Sequence, residues 1–198
     1  MKLLRLALAA LLGASLLAST ATAQTPPKFI RGTITAIDGK TATIATREGP
    51  SVTVKLADNW TVGMVEPIAL SAIKPGAFVG IASLKGEALE VLVFPEAARG
   101  TGEGHYPWDL QPESMMTNAT VATVAAGGDG QTLKLDYKGG GTQTIKVKPG
   151  TPIVTFQPGQ RSDAKVGAKV FVGAQKAADG TMTAARMAVG KDGLTPPM

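Results

Sequence analysis

The chain has a single histidine, His105, and it lies in the segment "RGTGEGHYPWDLQPESMMTN", residues 99–118. Tyr106, Trp108, Glu103, Asp109, Ser114 and the adjacent pair Met115 and Met116 stand in the same stretch. Imidazole with thioethers suits copper, and imidazole with carboxylates suits zinc. His105, Met115 and Met116 are therefore the candidate metal ligands, with Glu103 and Asp109 as acidic neighbours. Strong metal sites normally spend several histidines, and no H-x-H, H-x-x-x-H or M-x-x-M spacing occurs.

Catalytic readings of the same segment are poorer. The chain contains no cysteine, so a histidine-based triad must use His105 with Ser114 and Asp109. No G-x-S-x-G turn is present to expose a nucleophile. Glu103 and Asp109 form a carboxylate pair of the kind that cleaves glycosidic bonds, but a sugar cleft needs more aromatic side chains than this composition offers. The run "GTGEG" (100–104) copies part of a dinucleotide fingerprint. That motif must open a helix in a βαβ unit, and here His-Tyr-Pro-Trp follows. The expectation is a protein without an enzymatic centre and without a resident cofactor, copper or zinc being the one candidate ligand ion.

The chain opens "MKLLRLALAALLGASLLASTATAQ". A short basic start, an apolar run too short to span a bilayer, and Ala21-Thr22-Ala23 before Gln24 predict a cleaved signal peptide over 1–23. The expected location is the periplasm or the medium. Later segments lack the length and apolarity of a membrane helix, which excludes a helical permease. Two of the 20 basic residues, Lys2 and Arg5, belong to the leader, leaving 18 against 15 acidic. They are scattered, without the concentrated positive face that nucleic-acid binding needs.

The rest of the chain repeats one pattern. "RGTITAIDGKTATIATREGPSVTVKLADNWTV" and "LSAIKPGAFVGIASLKGEALEVLVF" in the first half stand against "NATVATVAAGGDGQTLKLDYKGGGTQTIKVKPGTPIV" and "SDAKVGAKVFVGAQKAADGTMTAARMAV" in the second. Val52, Val54 and Leu56 alternate with Ser51, Thr53 and Lys55. Leu133, Leu135 and Tyr137 alternate with Thr132, Lys134 and Asp136, and Ile145 and Val147 with Thr144, Lys146 and Lys148. Period two sends one set to a core and the other to water. Asp38-Gly39, Gly128-Asp129-Gly130 and Asp179-Gly180 punctuate these runs as hairpin turns. Only "EPIALSAI" (66–73) offers one or two helical turns.

The predicted fold is all-β: two tandem small β-barrels of OB-like or SH3-like kind, over 28–96 and 117–192, joined by a Gly/Pro-rich tether over 97–116. Closure removes the exposed edges that a small open sheet would carry. A single two-sheet sandwich built from both halves is the alternative. The scheme "RGTITAIDGKTATI … VTVKLAD … LSAIKPGAFVGI … EALEVLVF" resembles the repeat of a family of exported bacterial β-barrel domains of unknown function. "FPEAARGTGEGHYPWDLQPESMMTNATV" resembles a block shared by a subset sometimes labelled as components of metal transport systems. The resemblance implies fold and export, and brings no catalytic residue or ligand with it.

A small barrel has little core space for tryptophan, whereas a groove between two barrels does. Tyr106 and Trp108 are therefore expected to pin the tether into that groove. Trp60, where the first repeat is interrupted, is read either as a cap on barrel one or as half of an aromatic clamp with Trp108. The expected function is a non-catalytic envelope protein that binds a protein, peptide or glycan through Trp60, His105, Tyr106 and Trp108. The alternative is a periplasmic metal-binding accessory.

Overall fold

The computed structural model describes residues 28–198 apart from Glu48. The leader over 1–23 lies outside the described residues. The strands are β1 (Lys28–Ile37), β2 (Thr41–Thr46), β3 (Val52–Pro67), β4 (Phe78–Leu84), β5 (Glu87–Val93), β6 (Gly104–Pro107), β7 (Met115–Gly127), β8 (Gly130–Tyr137), β9 (Gly141–Val147), β10 (Ile153–Pro158), β11 (Lys169–Lys176) and β12 (Met182–Gly190). Among the described residues the only helical pieces are 3-10 turns. One of these, Leu70–Ala72, replaces the helix expected over 66–73, because β3 runs on to Pro67.

Alternation makes the strands, and glycine turns end them. Asp38 closes the β1–β2 turn by accepting hydrogen bonds from the backbone N–H of Lys40 (2.8 Å) and Thr41 (2.7 Å). Those donors hold its carboxyl below the usual aspartate range. Val54, Leu56, Leu133, Leu135, Ile145 and Val147 all turn inward and are buried, as period two demands.

The strands do not group by halves. β1, β2 and β3 pair in order, with Ile34 opposite Ile44 and Ala42 opposite Val54. The ring is completed by β11 and β12 from the other end of the chain: Ile30 faces Val172, Val170 faces Val189, and β12 runs parallel to β3 from Met182 opposite Val54 to Gly190 opposite Val65. This is a closed five-stranded barrel around Ile30, Ile34, Ile44, Val54, Val172 and Met187. In the same way the β4–β5 hairpin of the first half joins β7, β8 and β9 of the second. These strands curl around Val79, Ile81, Val91, Leu133, Leu135 and Ile145 and meet at one bridge, Glu87 opposite Lys146. The expectation of one ring within 28–96 and another within 117–192 thus gives way to an exchange of hairpins. Each half ends in a hairpin of similar pattern, so the pattern within a half does not settle which core its hairpin covers, and long-range packing pairs each hairpin with the other half's strands.

The exchange preserves the repeat. Pro67 and Pro158 end corresponding strands, the 3-10 turns Leu70–Ala72 and Arg161–Asp163 follow at the same distance, and β4 and β11 then begin at Phe78 and Lys169. β3 and β10 cross the boundary as an antiparallel pair, Val65 opposite Phe156, so all strands belong to one continuous sheet.

Packing between β1 and β2 is tight at Gly32, where an added Cβ would lie 2.1 Å from the Ala45 carbonyl oxygen and 2.8 Å from Ile44 Cγ2. Gly32→Ala is expected to cost about 1–3 kcal/mol through forced strand displacement, read as a lower midpoint in urea denaturation. An unchanged midpoint would show that the two strands yield freely.

Candidate functional site: an aromatic groove between the two cores

The barrel and the curled sheet meet through their outer faces. Val65, Leu92, Val154, Ala188 and Met198 form a third buried cluster there, flanked by Phe94, Phe156, Phe171 and Leu194. Beside it lies a cavity of about 510 Å³. Each lining side chain is placed by simple alternation. On β5, Val91 faces the core, so Glu90 and Leu92 face the groove. On β7, Ala119 faces the core, so Met116 and Asn118 face the groove. On β11, Val170 and Val172 face the barrel core, so Phe171 faces out and stacks on Phe29 of β1 at 5.4 Å.

Four of the five phenylalanines, one of the two tyrosines and one of the two tryptophans line this cavity: Phe29, Phe94, Phe156, Phe171, Tyr106 and Trp108. The cores themselves are almost wholly aliphatic. Aromatic side chains have thus been placed between the two cores rather than inside them. Trp108 packs against Phe29 at 4.5 Å and lies 6.3 Å from Tyr106. Gly80 permits the close wall, because a Cβ there would come within 2.7 Å of Asn118 Oδ1 and 3.0 Å of Phe94 Cε2.

The 97–116 segment supplies part of this wall. It is more regular than a tether, since β6 pairs along β7 with His105 opposite Thr117 and Tyr106 opposite Met116. Ser114 ties its turn together, donating to the carbonyl oxygens of Trp108 (3.0 Å) and Gln111 (2.8 Å). Gly102 lies at φ +56 where a Cβ would stand 3.0 Å from Asn118 Nδ2. The "GTGEG" run therefore serves a left-handed, crowded turn.

The sequence-predicted site residues divide. Tyr106 and Trp108 line the groove. Trp60 does not. It is 3% exposed, sits in the barrel core and is covered by Arg161, whose guanidinium carbon lies 5.1 Å from the ring centroid and whose Nε donates to the Trp60 carbonyl oxygen at 3.0 Å. The clamp with Trp108 is thereby replaced by a core role. His105 points away from the groove, with Nδ1 2.9 Å from Thr117 Oγ1 and its ring 6.3 Å from Tyr137.

The pleat of β7 also splits the candidate metal ligands. Met115 lies on the His105 face, paired with Pro107, while Met116 is buried on the Tyr106 face and lines the groove. His105, Met115 and Met116 therefore do not converge, because adjacent strand residues point to opposite faces. Among the described residues no group of three or more His, Cys, Asp or Glu side chains is arranged to hold a metal. Glu103 pairs with Lys138 at 3.7 Å and Asp109 with Arg31 at 2.7 Å, so these two carboxylates serve separate cations.

Sequence reasoning missed Glu90, Phe29, Phe94, Phe156 and Phe171. A signal was available: each phenylalanine at 29 and 171 occupies the outward register of a strand whose inward residues are plain. Glu90 is 4% exposed at the groove wall, and burial pushes its carboxyl up to about 8 against the weaker opposing pull of Arg31 and Arg47. Burial likewise raises the Tyr106 phenol. A larger concavity of about 820 Å³ lies near Glu66, Asp163, Lys165 and Lys191. Its Glu66 is already paired with Lys191 at 2.9 Å, and aromatic residues are absent from its lining.

Among the described residues no helix is long and apolar enough to cross a membrane. Comparison with protein-family models, curated proteins and solved structures gave no match to this chain.

Proposed function

We propose that this is an exported, non-catalytic binding protein of the bacterial envelope whose partner inserts an apolar group into the groove between the barrel and the curled sheet. One observation carries the reading: the aromatic side chains are gathered around a 510 Å³ cavity and nearly absent from the cores. Such a volume is in the range of specific small-ligand sites, and concave aromatic walls gain most from apolar guests. The groove has few polar groups to offer the many hydroxyls of a glycan, so an apolar ligand or peptide side chain is favoured among the partners considered. Export rests on the leader alone.

The test is titration with Nile red, a neutral apolar fluorophore, followed by its blue shift. One molecule per chain is expected to bind, with affinity falling about tenfold or more in a Trp108→Ala, Phe171→Ala double variant. Changing the exposed Val166 (64% exposed) to serine serves as the distant control. Equal binding by wild type and the double variant would remove the groove as the site.

A further inference from the structure

We propose that the groove is specific for an amphiphile with a cationic ammonium end, the apolar chain lying on the aromatic wall and the ammonium seated against the Glu90 carboxylate. This rests on the groove being the binding site and adds the charge of the ligand.

Glu90 is buried at the cavity wall and receives no hydrogen bond from any described residue. A desolvated carboxyl without a hydrogen bond is costly, and the opposing charge the fold supplies, from Arg31 and Arg47, reaches it only through space and does not outweigh its burial. The charged groups that act on it are Arg31 from β1 and Arg47 from the turn after β2, and Asp109 from the segment after β6 lines the same cavity. Arg31 is bonded to Asp109 at 2.7 Å and donates through Nε to the Met198 carbonyl oxygen. Arg47 donates to the Pro196 carbonyl oxygen at 2.6 Å. Both arginines act on Glu90 through space while these N–H groups bond elsewhere. Asn118 Oδ1, also at the wall, is a second buried acceptor without a donor. Trp108 Nε1 is the unpaired donor at the wall. The ionised Glu90 carboxyl and Asn118 Oδ1 together favour a ligand that brings N–H donors to this wall.

The aromatic wall is suited to the same charge. The Arg31 guanidinium carbon already lies 5.8 Å from the Trp108 ring and 5.3 Å from the Phe171 ring, so these π-faces hold a cation at the rim. An anionic amphiphile would have to approach the carboxyl groups of Glu90 and Asp109 in the cavity lining.

The experiment compares octylamine, octanol and octanoate on the full chain, by calorimetry and by quenching of Trp108, with buried Trp60 as constant background. At pH 8 octylamine is expected to bind roughly 10- to 100-fold more tightly than octanol. In Glu90→Gln that selectivity ratio is expected to fall to about one. Between pH 8 and pH 6 the octylamine affinity is expected to drop by up to roughly 100-fold, because the free groove binds a proton that the ammonium must expel, while octanol changes little. Equal binding of octylamine and octanol at both pH values would overturn the ammonium proposal and keep the groove. Tightest binding by octanoate would overturn it in favour of the arginines. Failure of all three ligands would overturn the proposal and the groove reading together.

Discussion

Residues 28–102 and 103–198, expressed separately, are expected to remain largely unfolded, and to recover the native β-sheet signal when mixed. The cause is the exchange of hairpins. The first piece holds β1–β3, yet β11 and β12 that close their ring are on the other piece. Without them Ile30, Ile34, Ile44 and Val54 face water, and β1 and β3 become exposed sheet edges. The second piece likewise lacks β4 and β5, which cover Leu133, Leu135 and Ile145. Stabilities of domains this size are only about 5–15 kcal/mol, so losing two strands of five removes all of it. Contacts such as Arg161 on Trp60 join residues 101 apart in the chain, which also predicts slow refolding relative to local folds. Circular dichroism and amide spectra of each piece and of the mixture decide the matter. A well-folded first piece alone would mean that its own β4–β5 hairpin can take the place of β11–β12, and that the exchange is not needed for closure.

Replacing Glu90 by Met is expected to stabilise the protein at alkaline pH and leave it little changed at pH 4. The sign follows from proton binding. The folded carboxyl titrates near 8 against an ordinary value of 4.5. Between those values the folded state holds a proton that the unfolded state has released, so stability falls as pH rises. The full interval corresponds to about 5 kcal/mol. Entry of water and relaxation of the groove reduce this, and a gain of about 2–4 kcal/mol is expected for Glu90→Met above pH 8. For a chain of this length that raises Tm by roughly 5–10 °C. Thermal unfolding from pH 4 to pH 9 is the measurement. A difference between wild type and variant that does not grow with pH would show that Glu90 is already neutralised in the fold. A group this costly at a cavity wall fits a site that trades stability for binding.

Much of the fold was legible because it is local. Val52, Val54 and Leu56, or Leu133 and Leu135, declare a strand and its buried face through alternation alone, and Asp38-Gly39 declares the turn. The location of Tyr106 and Trp108 was legible too, since large aromatic groups in a Gly/Pro-rich stretch gain by leaving water. Trp60 was not: a tryptophan at an interruption of the repeat reads equally as cap or clamp, and burial under Arg161 depends on a residue far along the chain.

The sequence by itself determined the all-β class, the repeat and the inward face of the clearly alternating runs in β3, β8 and β9, because these follow from side-chain period and from glycine backbone freedom within a few residues. Only the tertiary structure decided which hairpin closes which core, because the two hairpins carry nearly the same pattern and the choice lies in long-range packing. Only it decided that Met115 and Met116 part company, since that requires knowing that β7 is extended there and paired with β6. Only it brought Glu90 together with Phe29, Phe94, Phe156, Phe171 and Trp108, because residues on outward faces meet where two curved sheets touch.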